Sequence, residues 1–364
     1  MIKDMKILLD DSIMIRGEES TIGSEILRGF YAPFGAEAAD RLRAAGAVVA
    51  GRTKVGEFLI DDAVCDTVEM VKTGAARAAV ACDVTGVIRS QAAHAGLCFI
   101  RPTYGSVSRF GLISTAASME QLGVLCADAA VGAEVLSAIA GHDPKDGTSS
   151  PGKHYSYSCE GGAEGLSVCV PEGAAELDGL AGLLSSSGVK VTRAELRTAE
   201  YIPHAAFIIL CAELSNNITR FDGIKFGYRT QKFRKLDDIY VNSRTEALGL
   251  YAKLAALFGA HVLSKDCFEN YYMKAMKVRR LLKNEISSIL ETSDCIALPS
   301  GRPPVDGEES LETVKRLLEN MRYGAIPGMT GLPAAAMPCG AQLMAGAFCE
   351  NTLLRLCAHT AATA

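Results

Sequence analysis

The stretch "CDVTGVIRSQAAHAGL" (82–97) gathers the residue types best able to do chemistry. An apolar run ends on Cys82 and Asp83, a Val-Thr-Gly turn follows, and small residues then resume at helical spacing. A strand-to-helix turn aims backbone N–H groups and one side chain at a common point, so it can present a nucleophile or an oxyanion hole. The position that should carry the hydroxyl is Val87. Cys82 with His94 offers a thiol and an imidazole, yet a cysteine inside an apolar strand reads as inert core, and His94 among alanines as a packed, hydrogen-bonded residue. Ser90 reads as a serine of the helix N-terminus and Thr85 as a hydroxyl serving the turn before Gly86. Thr73 has no evident base. Asp10 could act as a base, although beside Asp11 it reads as half of a strand-end pair turned to solvent.

The elements that must position these groups alternate between strand and helix. "KILL" (6–9), "AVVAG" (47–51), "AAVACD" (78–83) and "LCFIR" (97–101) have strand length, and "AEAADRLRAAG" (36–46) reads as a helix stopped by Gly46. The order strand, helix, strand across 78–101 predicts a parallel pair with a right-handed crossover. In 127–141, Val131, Val135, Leu136 and Ile139 share one helical face. The polar stretch from about 142 to 162 reads as a surface excursion. "GLSVCVP" and "VKVTRAE" read as strands around a helix at about 174–187. Residues 200–292 read as mainly helical, the last helix carrying Ala275, Val278, Leu282, Ile286 and Ile289 as a core stripe. "DCIALP" (294–299) and "GLPAAAMPCG" (331–340) return as strands before a closing helix.

Composition narrows the function classes. The chain has 364 residues, half of them apolar, and a formal charge of −5. The basic clusters "QKFRK" (231–235) and "KVRRLLK" (277–283) alternate with apolar residues, the second reading as the solvated face of a helix, so high-affinity nucleic-acid binding is not expected. No apolar run approaches the roughly twenty residues needed to cross a bilayer, and no signal peptide is visible, so a cytosolic protein is expected. Twelve cysteines without a C-x-x-C pair read as small core residues, and no metal or other cofactor is expected.

Long motifs then carry a resemblance. "RPTYGSVSRFGLISTAASMEQLGVL" (101–125), "AIAGHDPKDGTSS" (138–150), "AELSNNITRFDGIKFGYR" (212–229), "ENYYMKAMKVRRLLKNEI" (269–286) and "GLPAAAMPCG" (331–340) resemble the amidase signature family. Within it they are similar to the A-type subunit of the glutamyl-tRNA(Gln) and aspartyl-tRNA(Asn) amidotransferases. The resemblance implies one α/β/α domain over residues 1–364 around a large mixed sheet, with a Ser-cisSer-Lys triad that hydrolyses glutamine and passes ammonia to a partner protein.

Carried over residue by residue, the family lysine falls at Asp10 or the residue beside it, and the bridging serine of a Gly-Gly-Ser-Ile-Arg turn at Val87. Thr85, Gly86, Ile88 and Arg89 are what remains of that turn. The loop expected to hold the nucleophile is shortened near Val64, and no serine occurs from Glu25 through Arg89. The arginine and aspartate that grip glutamine in the family correspond to Ala255 and to Met321 or Arg322. The resulting expectation is a catalytically inactive paralogue acting as scaffold or regulator, beside a B-like or C-like subunit or an intact A-like paralogue. Two alternatives stay open: an A-type amidotransferase component or amidase whose chemistry has moved to Cys82 or Ser90, and a module that binds a neutral small molecule in a vacated cleft lined by Val87, Ala255 and Met321.

Overall fold

The computed structural model describes residues 2–60, 65–151, 155–303 and 310–363. Among these, ten strands form one mixed sheet: β1 (Lys6–Asp10), β2 (Val48–Thr53), β3 (Ala78–Asp83), β4 (Cys98–Arg101), β5 (Gln121–Cys126), β6 (Ser167–Pro171), β7 (Lys190–Ala194), β8 (Cys295–Pro299), β9 (Ala334–Met337) and β10 (Ala341–Ala345). Their order across the sheet is β2-β1-β3-β5-β4-β9-β10-β8-β6-β7. The outer pairs β2–β1–β3 and β8–β6–β7 are parallel, and the centre from β3 to β8 is antiparallel.

The continuous apolar runs follow from burial on both faces. Ile7 and Leu9 of β1 enter one core while Leu8 between them enters another; Val80 and Ala79 of β3 divide in the same way. One face is covered by α1 (Glu37–Ala44), α4 (Ala129–Ile139) and α12 (Glu350–Thr363), the other by α2 (Asp66–Lys72) and α3 (Val87–His94). The expected three-layer α/β/α fold with a large mixed sheet is thus observed. Helix α5 (Asp178–Ser186) packs beside β7, and α6 (Ile202–Ile218) is the hub of a helical group with α8 (Leu250–Val262), α9 (Tyr272–Leu290) and α10 (Leu311–Gly324). Helices α7 (Leu236–Ala247) and α11 (Ile326–Thr330) complete the set. The stripe of α9 faces inward at Ala275, Leu282 and Ile286, with Val278 and Ile289 partly covered.

Two expectations about local structure are corrected. Strands β3 and β4 do not pair, because β5 lies between them, antiparallel to both. Strand β5 follows β4 through the turn-rich 102–120 segment and takes the place that a direct crossover would have given to β4. The 142–162 stretch is not a simple surface excursion: Asp143, Asp146 and Ser149 are buried, with Asp143 accepting from the Ser108 hydroxyl at 2.6 Å and Asp146 from the Arg109 N–H at 2.8 Å.

Candidate functional site

The turn between β3 and α3 is built by charge. Asp83, buried at the end of β3, accepts from the Gly86 N–H at 3.0 Å, from Arg89 Nε at 2.7 Å and from Arg101 Nη1 at 3.0 Å. Arg89, also fully buried, continues to the Gln342 amide oxygen and to the Gly324 carbonyl. Burial alone would raise the Asp83 pKa; the charges of Arg89 and Arg101 outweigh it and hold the carboxyl below its ordinary range. Gly86 has φ +94°, and a β-carbon there would meet the Gly324 carbonyl oxygen at 2.6 Å, so only glycine fits where this turn touches the end of α10. Arg89 and Gly86 therefore hold the shape of the turn, and Ile88 joins the buried core that includes Ala79 and Ala81 of β3.

Under the turn lies a cavity of about 40 Å³, lined by Asp10, Cys82, Thr85, Val87 and Gln91 among others. Its wall comes from the end of β1, from Val55, Gly56, Leu59 and Cys65, from the end of β3 and from the start of α3. Val87 is the first residue of α3, a position whose geometry suits either an attacking or a relaying hydroxyl. Among the described lining residues there is neither serine nor lysine. The shortened loop near Val64 lies outside the described residues, while Cys65 beyond it reaches the wall and its N–H donates to the Gln91 side chain at 2.7 Å.

Asp10 is not turned to solvent. Strand β1 runs between β2 and β3, so its end is interior, and Asp10 is 1% exposed. Its carboxylate accepts from the N–H and hydroxyl of Ser12 at 3.0 and 2.5 Å and from the Cys82 N–H at 2.6 Å. Desolvation outweighs these bonds and raises its pKa to about 6. Asp11 behaves differently, pairing with Arg52 at 2.8 Å at the partly exposed edge.

A raised carboxyl pKa means that the folded state holds the proton more tightly than the unfolded chain. The stability this group contributes is complete below about pH 4 and is lost as pH rises to about 6, an effect of about 3 kcal/mol. Urea unfolding of wild type and Asp10→Asn across pH 4–7.5 should show the stability difference shifting by about that amount in favour of the variant as pH rises. Parallel pH profiles would show that Asp10 ionises normally in the fold.

The other expected groups separate. Thr85 is buried and its hydroxyl has no hydrogen-bond partner among the described residues, so it does not serve the turn; Asp83 makes the bond to Gly86 instead. The Cys82 thiol is pushed well above its ordinary pKa, first by burial and then by the carboxylates of Glu120, Asp10 and Asp83, which keeps it protonated. His94 stands at the far end of α3, exposed rather than packed, with Nε2 3.0 Å from the Gly301 carbonyl. Ser90 is buried and its hydroxyl reaches the Arg302 carbonyl at 3.4 Å, and Thr73 bonds the Glu69 carbonyl on the surface of α2.

Ala255 lines a separate small apolar cavity with Phe207 and Leu317, Met321 is core, and Arg322 lies over the Tyr323 ring beside an open groove. Among the described residues, Val87 and Ala255 thus line different cavities, and Met321 is buried in the core rather than set in a cleft wall with them. Sequence reading missed Ser12, whose hydroxyl is bound to Asp10, as well as Cys65 and Gln91 in the wall. No spacing links residues drawn from separate segments, and the only local signal was the Asp-x-Ser pattern after a strand.

The match to known proteins agrees with this architecture. The amidase family model matches residues 4–67 and 69–354. The chain belongs to the amidase family. It is 31% identical to the A-type subunit of glutamyl-tRNA(Gln) amidotransferase from Desulfosudis oleivorans, over 95% of this chain and 80% of that protein. It is 32% identical to the protein of the same description from Coxiella burnetii, over 93% and 79%. In fold it is similar to the A-type subunit of the Thermotoga maritima glutamyl-tRNA(Gln) amidotransferase, at a TM-score of 0.77 and 24% identity over 98% of this chain and 83% of that one. It is likewise similar to a peptide amidase from Stenotrophomonas maltophilia, at 0.76 and 21% over 98% and 82%. No described helix of this amidase-family chain is long and apolar enough to cross a membrane, and no group of three or more metal-ligating side chains occurs among the described residues.

Proposed function

We propose that this amidase-family chain works as an A-type amidotransferase component docked to a B-like or C-like partner. The observation that carries the reading is the family match along almost the whole chain, with about a third of positions identical to proteins described as A-type subunits of glutamyl-tRNA(Gln) amidotransferase. Those relatives favour an amidase or amidotransferase role over that of a wholly inactive paralogue.

The composition of the cavity favours a second reading for the chemistry itself, that the protein is a scaffold or regulator. A protonated Cys82 thiol, an unpartnered Thr85 hydroxyl and a buried Asp10 carboxylate do not make a serine activated by a base. In a worked protease case, loss of the nucleophile or its base costs on the order of a million-fold in turnover.

Ammonia release from glutamine and asparagine by the purified chain, alone and with its co-purifying partners, decides between the two. Turnover at rates ordinary for working amidases, abolished in the Cys82→Ala/Ser90→Ala double variant, would establish relocated chemistry. Absence of ammonia together with a stoichiometric B-like or C-like partner would establish the scaffold.

A further inference from the structure

The cavity beneath Val87 holds two features that the fold does not require. Asp10 carries a buried carboxylate whose three donors are neutral groups, and among the described residues no cationic side chain is hydrogen-bonded or ion-paired to it; Arg89 and Arg101 are engaged by Asp83 instead. The hydroxyl of Thr85, 4% exposed, lines the same cavity without a partner. Around these oxygens Val55, Leu59, Val84, Val87 and Ile88 form an apolar collar.

Each feature constrains the occupant. A carboxylate has about four acceptor directions and three are filled, which leaves one on Oδ2 of a residue that lines the cavity; a threonine hydroxyl adds two lone pairs. A buried charge without a counter-charge selects a cation and rejects an anion. Sodium, potassium and the divalent ions want about six or more oxygens around them, a demand poorly met by a lining that is mostly apolar. An ammonium group needs fewer, because its N–H donors are directional, and a carbon attached to it finds the collar. At about 40 Å³ the space takes roughly three water-sized atoms.

We propose that this cavity binds a small primary ammonium ion, from ammonium to ethylammonium, donating to the Asp10 carboxylate and the Thr85 hydroxyl with its carbon against the collar. The proposal rests on the reading of this cavity as the functional site of the chain. It differs from the neutral ligand expected of a cleft lined by Val87, Ala255 and Met321, because this cavity has the Asp10 carboxylate in its wall.

The test is thermal unfolding of the full-length chain at pH 7.5 in chlorides of ammonium, methylammonium, tetramethylammonium, sodium and potassium at matched ionic strength. Ammonium and methylammonium should give a saturable rise in Tm, about 3–4 °C at a hundredfold excess over Kd, and the other three should not. The rise should vanish in Asp10→Asn. In Thr85→Val, which replaces an unpartnered hydroxyl by a methyl group and so keeps the fold, the midpoint concentration should increase about fivefold.

The carbon resonance of 13C-methylammonium provides a readout independent of stability, broadening with wild type and sharp with Asp10→Asn. Equal responses to all five salts, an equal response to tetramethylammonium, or an unchanged midpoint in Thr85→Val would overturn the site. Binding is read without glutamine or a partner, so a negative result here leaves the ammonia-release measurement standing, and a negative result there leaves this one.

Discussion

Asp83→Ala is expected to destabilise the protein by about 3–5 kcal/mol, because it strands the buried charges of Arg89 and Arg101 without a counter-ion. The desolvation cost of the two guanidinium groups is already met in the native protein by one carboxylate that bonds both. Removing it also frees the Gly86 N–H at the head of α3. The urea midpoint should fall accordingly, and Asp83→Asn, which keeps the acceptor for Gly86 but not the charge, should lie between wild type and the alanine variant. A loss under about 1 kcal/mol in Asp83→Ala would mean that water or a rearranged arginine screens the site, contrary to the burial of Asp83, Arg89 and Arg101.

The second large effect belongs to Gly86. Alanine there would hold an L-residue at φ +94° and drive its β-carbon to 2.6 Å from the Gly324 carbonyl oxygen. The left-handed backbone costs roughly 1–2 kcal/mol and the forced separation of the two segments another 1–3 kcal/mol, together roughly 2–5 kcal/mol. Hydrogen exchange should accelerate at the start of α3 and the end of α10 before it does elsewhere. Protection unchanged in both places, with stability within about half a kcal/mol of wild type, would show that the contact is slack.

How much of this could be read beforehand depends on the kind of signal. Strands β1 and β3 announced themselves because burial on both faces gives each a continuous apolar run, Ile7 to Leu9 and Ala78 to Cys82, and the α9 stripe because one buried face imposes helical spacing. Strand β5 was hidden: it begins with Gln121, contains Gly123 and follows a turn-rich segment, so nothing local separated it from loop. The sheet order went with it, since which strands are neighbours is settled by the whole sheet.

At the site, position 87 was legible from the turn around it, whereas the burial of Asp10 was not. Two adjacent acids look alike in sequence; one lies in the interior and the other at the rim because of where β2 and β3 flank β1. The unmet hydroxyl of Thr85 is a matter of what fails to approach it, which a sequence does not record.

The meeting of Gly86 with Gly324 has a consequence for how this chain has been free to vary. Where two peptide groups rest directly on one another, the course of the main chain is anchored without help from neighbouring side chains. The residues just beside such a junction become replaceable parts on a fixed mount, and an isopropyl group at 87 can take its seat there while the mount stays where it was.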